Sequence, residues 1–167
     1  MPEETTILVK PPDALDDRQL LPFVYAALQI GVVREGLEQR IRRAHRLIYL
    51  FSGERLIGVA AVKRPAQQYQ RRIFEQAGCG KCVDAYPFEF GWLFVLPGAR
   101  GGNHVDRLAG AGREAAGGQG LFATVRADGR ALLRIARRNG YVPLGRPYRS
   151  HNSGERLALI GIPPETP

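Results

Sequence analysis

The fold of this chain is decided by one stretch, Phe88-Glu89-Phe90-Gly91-Trp92-Leu93-Phe94-Val95-Leu96-Pro97-Gly98-Ala99-Arg100-Gly101-Gly102-Asn103-His104-Val105. Residues 88–96 are aromatic and almost continuously apolar, which predicts a central, buried strand. Pro97 ends that strand because proline has no backbone N–H for a sheet ladder. A glycine-rich turn follows, and a helix is predicted from there to about residue 116.

A strand that leads through such a turn into a helix has a geometry that binds phosphate. Backbone N–H groups and the positive end of the helix dipole lie together at this place. Glycine lets an anion approach the backbone closely because no Cβ intervenes. A purely structural turn has the same composition, so the pattern alone leaves both interpretations open.

The patterns on both sides of this stretch predict further strands and helices. Upstream, strands are predicted at 5–9, 47–51 and 56–62, and helices at 34–46 and 67–77. Downstream, strands are predicted at 120–125, 141–142 and 157–162, and a helix at 128–138. This order indicates a mixed sheet with helices packed on it.

The helix starts have their own signals. Asp16 and Asp17 offer a cap for the first helix, but Pro22 suits a first turn, so a start at Leu21 is also open. Asp128 is predicted to cap the helix that ends at residue 138.

The length of 167 residues predicts one domain, 1–167, large enough to bury a core without metals or disulfides. Hydrophobic residues make up 44% and charged residues 24%, which indicates a folded globular chain. No apolar run approaches the roughly 18 residues that a membrane span needs. We therefore expect a cytoplasmic protein with no membrane partner.

The charge balance is basic, since 24 Lys and Arg against 16 Asp and Glu give a net charge of +8. RNA is one candidate partner, because Lys and Arg contacts to phosphate supply most non-specific affinity for nucleic acid. A nucleotide cofactor with several phosphates is another and needs fewer charges. A solvated basic surface needs no partner, and the composition leaves the three open.

The two cysteines, Cys79 and Cys82, have C-x-x-C spacing. A structural zinc site needs four ligands, and no second pair or suitably spaced histidine is present in the sequence. We expect an ordinary loop here and no metal site, with metal binding and redox chemistry as the less favoured interpretations.

Two blocks of the sequence carry a family resemblance. In the first, Val95-Leu96-Pro97 ends the strand and Arg100-Gly101-Gly102-Asn103-His104-Val105 opens the helix. In the second, the strand at 123–125 and the turn Asp128-Gly129 lead into a helix that ends at Gly140-Tyr141. The blocks resemble two motifs of the GNAT N-acetyltransferase superfamily. These are V-x-P followed by [Q/R]-x-x-G-x-[G/A], and a strand, a D-N turn and a helix ending in G-[F/Y].

The resemblance covers roughly residues 47–147 and implies an α/β (α+β) fold. The expected architecture is a mixed, mainly antiparallel twisted sheet of about six or seven strands flanked by helices. A central V-shaped splay of the sheet would hold the cofactor, and residues 88–141 would form the cofactor-binding half.

The resemblance also implies acetyl-CoA as co-substrate. The residues expected to cradle its pyrophosphate are Arg100, Gly101, Gly102, Asn103, His104 and Val105. The strand edge at Phe94, Val95 and Leu96 would pair with the pantetheine amides, and Arg134 would meet the ribose phosphate. Asn103 and Val105 stand where the family prefers small residues.

For catalysis, Glu89 stands where many members of the family have a glutamate that accepts the amine proton. Its other interpretation is a strand-end carboxylate paired with an arginine. Ala136 replaces the tyrosine that often protonates the leaving thiolate, so the proton would come from water or from another group, with Tyr148 as the candidate acid. Tyr141 is expected to lie in the core.

The implied activity is transfer of an acetyl group from acetyl-CoA to an amine by direct attack in a ternary complex. The acceptor would be a small molecule, a peptide or an RNA-linked amine, and residues 25–33 and 147–152 would line its pocket. Two alternatives stay open, a coenzyme A-binding sensor that has lost catalysis and a nucleic-acid-binding protein. Many members of the family pair through terminal strands, so a homodimer is a further expectation.

Overall fold

The computed structural model describes residues 3–166. Its strands are β1 (Thr5–Lys10), β2 (Arg46–Ser52), β3 (Arg55–Lys63), β4 (Phe88–Val95), β5 (Leu121–Arg126), β6 (Val142–Pro143), β7 (Tyr148–Arg149) and β8 (Arg156–Ile162). Its α-helices are α1 (Asp17–Leu28), α2 (Leu37–Arg42), α3 (Gln67–Gln76), α4 (His104–Ala115) and α5 (Arg130–Arg138). Short 3-10 segments lie at Pro12–Ala14, Gly80–Ala85 and Pro97–Ala99.

The strands form a sheet in the order β1-β2-β3-β4-β5-β8-β6, and β7 also pairs with β8. The pairs β1–β2, β2–β3, β5–β8, β6–β8 and β7–β8 are antiparallel, whereas β4 and β5 run parallel. The predicted mixed, mainly antiparallel sheet is thereby confirmed. Within residues 3–166 the sheet has eight strands, and the predicted strand at 141–142 corresponds to β6. Only β7 was not predicted, because its two residues are too few to leave a periodic pattern in the sequence.

The chain folds into two compact units, and the prediction of a single domain over 1–167 stays a prediction. Of the described residues, the first unit comprises 3–64 and 90–115, and the second comprises 65–89 and 116–166. β4 begins in the second unit with Phe88 and Glu89 and continues in the first from Phe90. No helix within 3–166 is long and apolar enough to cross a membrane.

The core of the first unit packs α1 and α2 against β2 and β3. Phe23 is fully buried and meets the rings of Tyr49 and Trp92 edge-on, with ring centroids 5.6 Å and 6.2 Å away. Full burial of such a side chain contributes about 1.5–3 kcal/mol. Trp92 has φ 49°, a left-handed conformation that bulky residues rarely adopt, and Lys63 Nζ lies 4.7 Å from its ring centroid. The buried Trp92 ring thus contacts both Phe23 and Lys63.

The two upstream helices differ from the sequence expectation in their lengths. α1 begins at Asp17, so the alternative start at Leu21 is wrong and Pro22 lies inside the helix. The Asp16 side chain accepts from Gln19 N and the Gln19 side chain accepts from Asp16 N, a capping box that fixes the first turn ahead of the proline. α2 covers only Leu37–Arg42 instead of 34–46, because the left-handed Gly36 (φ 71°) precedes it.

The core of the second unit surrounds Phe74 of α3 and Phe122 of β5, whose rings meet edge-on with centroids 5.1 Å apart. The predicted cap of α5 by Asp128 is wrong. Gly129 occupies the cap position without a side-chain hydrogen bond, and an Asp128 carboxylate oxygen lies 3.3 Å from Arg126 Nε. The Asp128 carboxylate therefore pairs with the Arg126 guanidinium and does not cap α5.

The parallel ladder between β4 and β5 is short. It pairs Phe88 with Leu121 and Glu89 with Phe122. Only the first two of the eight residues of β4 take part in it.

Candidate active site

Glu89 lies in the second position of β4 and is 5% exposed. Its backbone is held in register with Phe122 by the parallel ladder. Its Oε1 accepts a hydrogen bond from the Tyr69 hydroxyl at 3.1 Å. A buried carboxylate is tolerated only with polar partners, and Tyr69 is one of them.

Tyr69 lies in the first turn of α3 and is itself held from several sides. The Thr124 side chain of β5 forms a hydrogen bond with its phenol. The Arg72 guanidinium carbon lies 5.9 Å from its ring centroid. Burial, and after it the charge of Glu89, raises the pKa of Tyr69 far above its ordinary value. The phenol therefore stays protonated and donates to Glu89 at physiological pH.

Tyr148 is the first residue of β7 and is 8% exposed. Its hydroxyl oxygen is buried and has no hydrogen-bond partner among residues 3–166. Burial and the charge of Glu89 raise the pKa of Tyr148 to about 12, although Arg72 opposes the shift. Burying a hydroxyl without a partner costs about 1–3 kcal/mol of stability. The Tyr148 hydroxyl can therefore form a hydrogen bond with a bound molecule.

The structure thus brings the two predicted catalytic residues, Glu89 and Tyr148, close enough to interact electrostatically within the second unit. In such a pair the carboxylate can accept a proton, and the protonated phenol can donate a hydrogen bond to another atom. The sequence did not identify Tyr69, Thr124 or Arg72 as site residues. Tyr69 falls on the apolar face of the predicted helix 67–77, and only the packing of α3 shows that its hydroxyl reaches β4.

The glycine-rich turn begins α4 in the first unit. Asn103 O accepts from Arg107 N at 3.0 Å, so the first N–H groups of the helix, beginning with His104 and Val105, have no acceptor within the helix. Gly101 has φ 103°, which favours glycine. Arg100 Nε donates to Val95 O at 3.3 Å and ties the turn to the end of β4.

His104 folds back over this turn. A Cβ at Gly102 would lie 2.9 Å from His104 Nε2 and 3.1 Å from its Cε1, so the imidazole rests directly on the glycine. The His104 ring, which the family resemblance assigns to the phosphate cradle, therefore lies on the turn.

The strand edge predicted for pantetheine offers one suitable amide. Leu96 N donates to Ile57 O at 2.8 Å, so this N–H is already hydrogen-bonded to β3. Backbone groups of alternate residues point to opposite edges of a strand, so the Val95 amide faces away from β3. Phe94 has the parity of Leu96, so its backbone amide also faces β3.

The remaining predicted residues lie at the surface. Arg134 is exposed on α5, as are Arg130 and Arg137. Cys79 follows α3 and Cys82 lies in the 3-10 segment Gly80–Ala85, so a short helix replaces the expected irregular loop. Both thiols are free, and burial raises the pKa of the Cys79 thiol. Over residues 3–166 no group of three His, Cys, Asp or Glu side chains could hold a metal ion.

Part of the segment 25–33, predicted to line an acceptor pocket, does line a pocket in the first unit. Its volume is about 350 Å³, and Tyr25, Ala26 and Gln29 form one wall. From the segment 147–152, Tyr148 belongs to the Glu89 cluster, whereas His151 and Asn152 are exposed.

Comparisons with known proteins identify the fold. No protein-family model matches the sequence, and no curated protein matches it either. ElaA from Escherichia coli has a similar structure, with a TM-score of 0.68 and 13% identity over 95% of this chain and 99% of that one. A GNAT-family acetyltransferase from Streptococcus pneumoniae gives a TM-score of 0.62 and 14% identity over 95% and 98%. The yncA protein from Salmonella typhimurium, solved with its cofactor acetyl-CoA, gives 0.61 and 12% over 98% and 96%. At such identities the likeness concerns the fold, and that fold is the GNAT fold.

Proposed function

We propose that this chain, which has the GNAT fold, transfers an acetyl group from acetyl-CoA to an amine by direct attack in a ternary complex. The observation that carries the proposal is the cluster around Glu89. A buried carboxylate on β4 accepts from the Tyr69 hydroxyl, and Tyr148 supplies a second buried hydroxyl with no partner among the described residues.

In the proposed reaction the amine nitrogen attacks the thioester carbon, and the carbon–sulfur bond breaks as the new carbon–nitrogen bond forms. Glu89 accepts the proton that the amine loses, directly or through a water molecule. Tyr69 holds the carboxylate by its hydrogen bond to Oε1, which fixes the direction of that transfer. Holding acceptor and thioester together supplies much of the rate.

Tyr148 is proposed to stabilise the leaving sulfur. With a pKa of about 12 its hydroxyl is a weaker acid than an ordinary thiol, whose pKa is about 8.5. Complete transfer of its proton to the thiolate is therefore uphill. A hydrogen bond from the hydroxyl to the sulfur still favours the developing negative charge. The thiolate then takes its proton from Glu89 or from water.

The cofactor is proposed to lie along β4 and the turn that follows it. The first N–H groups of α4 and the dipole of that helix suit a pyrophosphate, and Gly101, where an added Cβ would meet nothing within 4 Å, lets it approach the backbone. His104, resting on Gly102, adds a ring N–H at the same place. Val95 offers its amide to the pantetheine arm, and Arg134 is proposed for the ribose phosphate.

The proposal is tested by thermal shift and by thiol release. Acetyl-CoA at millimolar concentration should raise the melting temperature, because a ligand that binds only the folded state stabilises it. A panel of primary amines should then release free coenzyme A faster than buffer alone. The proposal fails if acetyl-CoA gives no shift, or if no amine accelerates thiol release.

A further inference from the structure

The pocket of about 350 Å³ in the first unit lies between α1 and the ends of two strands. Pro22, Tyr25, Ala26 and Gln29 of α1 form one wall. Residues 56–59 of β3, Phe94 of β4 and the adjacent Leu96 complete the lining. All of these residues belong to one unit, so this unit alone forms the pocket.

The lining of this pocket carries no charge. None of its ten residues is Lys, Arg, Asp, Glu or His, although the chain has 24 Lys and Arg and a net charge of +8. Burying a charge without a partner is costly, whereas an apolar group gains from leaving water. The pocket therefore favours a neutral, apolar group over an anion or a cation.

The rim of the pocket is open and aromatic. Tyr25 lines the pocket and is 66% exposed, so a molecule can enter from solvent on the α1 side. An exposed ring with a polar tip gives an apolar ligand a broad contact surface. The volume lies near the lower end of the roughly 300–1,000 Å³ range of small-molecule sites. It suits a ligand with one ring or a short branched chain, and it is too small for a folded macromolecule.

We propose that this pocket holds the apolar body of the acceptor, so that the substrate class is a small amine carried on an aromatic or branched aliphatic group. This inference rests on the proposed function. Phe94 and Leu96 flank Val95, whose amide is assigned to pantetheine, so an acceptor in the pocket lies against the segment that aligns the thioester. The solvent-facing rim at Tyr25 provides its entrance.

The test compares acceptors that share an amine and differ in their bodies. Thiol release from acetyl-CoA is measured with 2-phenylethylamine, ethanolamine and putrescine. We expect kcat/KM for 2-phenylethylamine to exceed that of either polar amine at least tenfold.

Two variants test whether the pocket is the source of the preference for the aromatic amine. Tyr25→Glu places a carboxylate at the rim and should lower kcat/KM for 2-phenylethylamine at least tenfold. Leu21→Glu is the matched control, since Leu21 is an apolar residue of α1 that is 46% exposed and does not line the pocket. It should leave kcat/KM within about twofold of the parent. Both positions are exposed, and melting temperatures verify that both variants fold.

Three results would overturn the inference while leaving the proposed acetyltransferase in place. In the first, the polar amines are acetylated as efficiently as the aromatic one. In the second, the two variants have the same effect. In the third, Tyr25→Glu alters the ratio of octanoyl-CoA to acetyl-CoA turnover but not the preference among amines, which would assign the pocket to the acyl chain. Absence of thiol release with every amine would instead overturn the proposed function together with the inference.

Discussion

At the scale of single residues, the hydroxyl of Tyr69 is expected to support both stability and turnover. Tyr69→Phe removes the donor to Glu89 Oε1, whose hydrogen-bond length is 3.1 Å. Loss of a hydrogen bond to a buried charged group costs about 1.5–3 kcal/mol. We expect a loss of that order in urea unfolding and a fall in kcat on the order of tenfold, with acetyl-CoA affinity retained.

Tyr141→Phe is the matched control for this prediction. The Tyr141 hydroxyl is buried and has no hydrogen-bond partner among the described residues, so its removal breaks no such bond. Its loss should be neutral or stabilising. Equal destabilisation by the two substitutions would contradict the role assigned to Tyr69.

Tyr148→Phe is expected to separate activity from stability. Because the Tyr148 hydroxyl is buried without a partner in the part of the chain that the structure describes, its removal should leave stability unchanged or slightly higher. Loss of the hydrogen bond to the leaving sulfur should lower kcat on the order of 100-fold. Unfolding curves and thiol release on the same preparations measure both quantities. A variant that is less stable but fully active would refute this assignment.

Protonation of His45 is expected to lower the stability of the folded chain at acidic pH. His45 Nε2 lies 3.2 Å from Ala115 O, and an Arg64 guanidinium nitrogen lies 3.3 Å from its Nδ1. Burial, followed by the charges of Arg46 and Arg64, lowers the pKa of His45 below its ordinary 6.5. Protonation of His45 therefore favours the unfolded chain. The stability contributed by the neutral imidazole is complete above about pH 6.5 and is lost as the pH falls toward the folded-state pKa.

His45→Gln keeps a polar group that can reach Ala115 O but does not titrate. Between about pH 7.5 and pH 5.5 its melting temperature should fall less than that of the parent chain. Parallel melting curves for the two proteins would contradict the assignment of this slope to His45.

At the scale of elements, the turn before α4 depends on one glycine. A Cβ at Gly102 would meet the His104 ring at 2.9 Å, so Gly102→Ala must displace the imidazole from the turn. We expect the Kd for acetyl-CoA to rise about five- to twentyfold, while the exposed turn keeps the fold intact. Isothermal titration measures the affinity.

Gly98→Ala serves as the control for the turn. A Cβ at Gly98 would have nothing within 4 Å, and its backbone does not have positive φ. This substitution should leave acetyl-CoA affinity unchanged. If it weakens binding as much as Gly102→Ala does, the loss reflects general stiffening of the turn and the role given to His104 is wrong.

Elements with a strong periodic pattern could be predicted from the sequence, and those fixed by distant contacts could not. The strand at 88–96 could be predicted because a buried strand has a continuous apolar sequence, and the turn before His104 could be predicted from its glycines. Asp128 looked like a helix cap, yet Arg126 pairs with its carboxylate. Pro22 looked like a first-turn residue, but a capping box at Asp16 starts the helix earlier. In both cases a neighbouring side chain overrides the local signal.

Some residues of the candidate site could likewise be predicted from the sequence, and others could not. Glu89 and Tyr148 were identifiable through the family resemblance. Tyr69 was not, because it lies on a helix between β3 and β4 and gains its role only when α3 packs beside β4 and β5. The pocket at Tyr25 likewise depends on three elements that are distant in sequence, and only Tyr25, Ala26 and Gln29 of its α1 wall fall in the predicted segment.

At the scale of the whole molecule, the GNAT fold places one strand, β4, in both compact units. Its first residues include the buried Glu89, and its later residues line the apolar pocket and lead into the glycine-rich turn. The central claim is that this arrangement performs amine acetylation with Glu89 as the proton acceptor.

The most direct test is the turnover of Glu89→Gln, with Glu75→Gln, an exposed glutamate of α3, as the matched control. The account predicts that Glu89→Gln lowers kcat for the best amine at least 100-fold, since general base catalysis contributes about 10²–10⁴. Acetyl-CoA should still raise its melting temperature, and Glu75→Gln should retain parental turnover. A Glu89→Gln variant that binds acetyl-CoA and acetylates the amine within threefold of the parent rate would contradict the account.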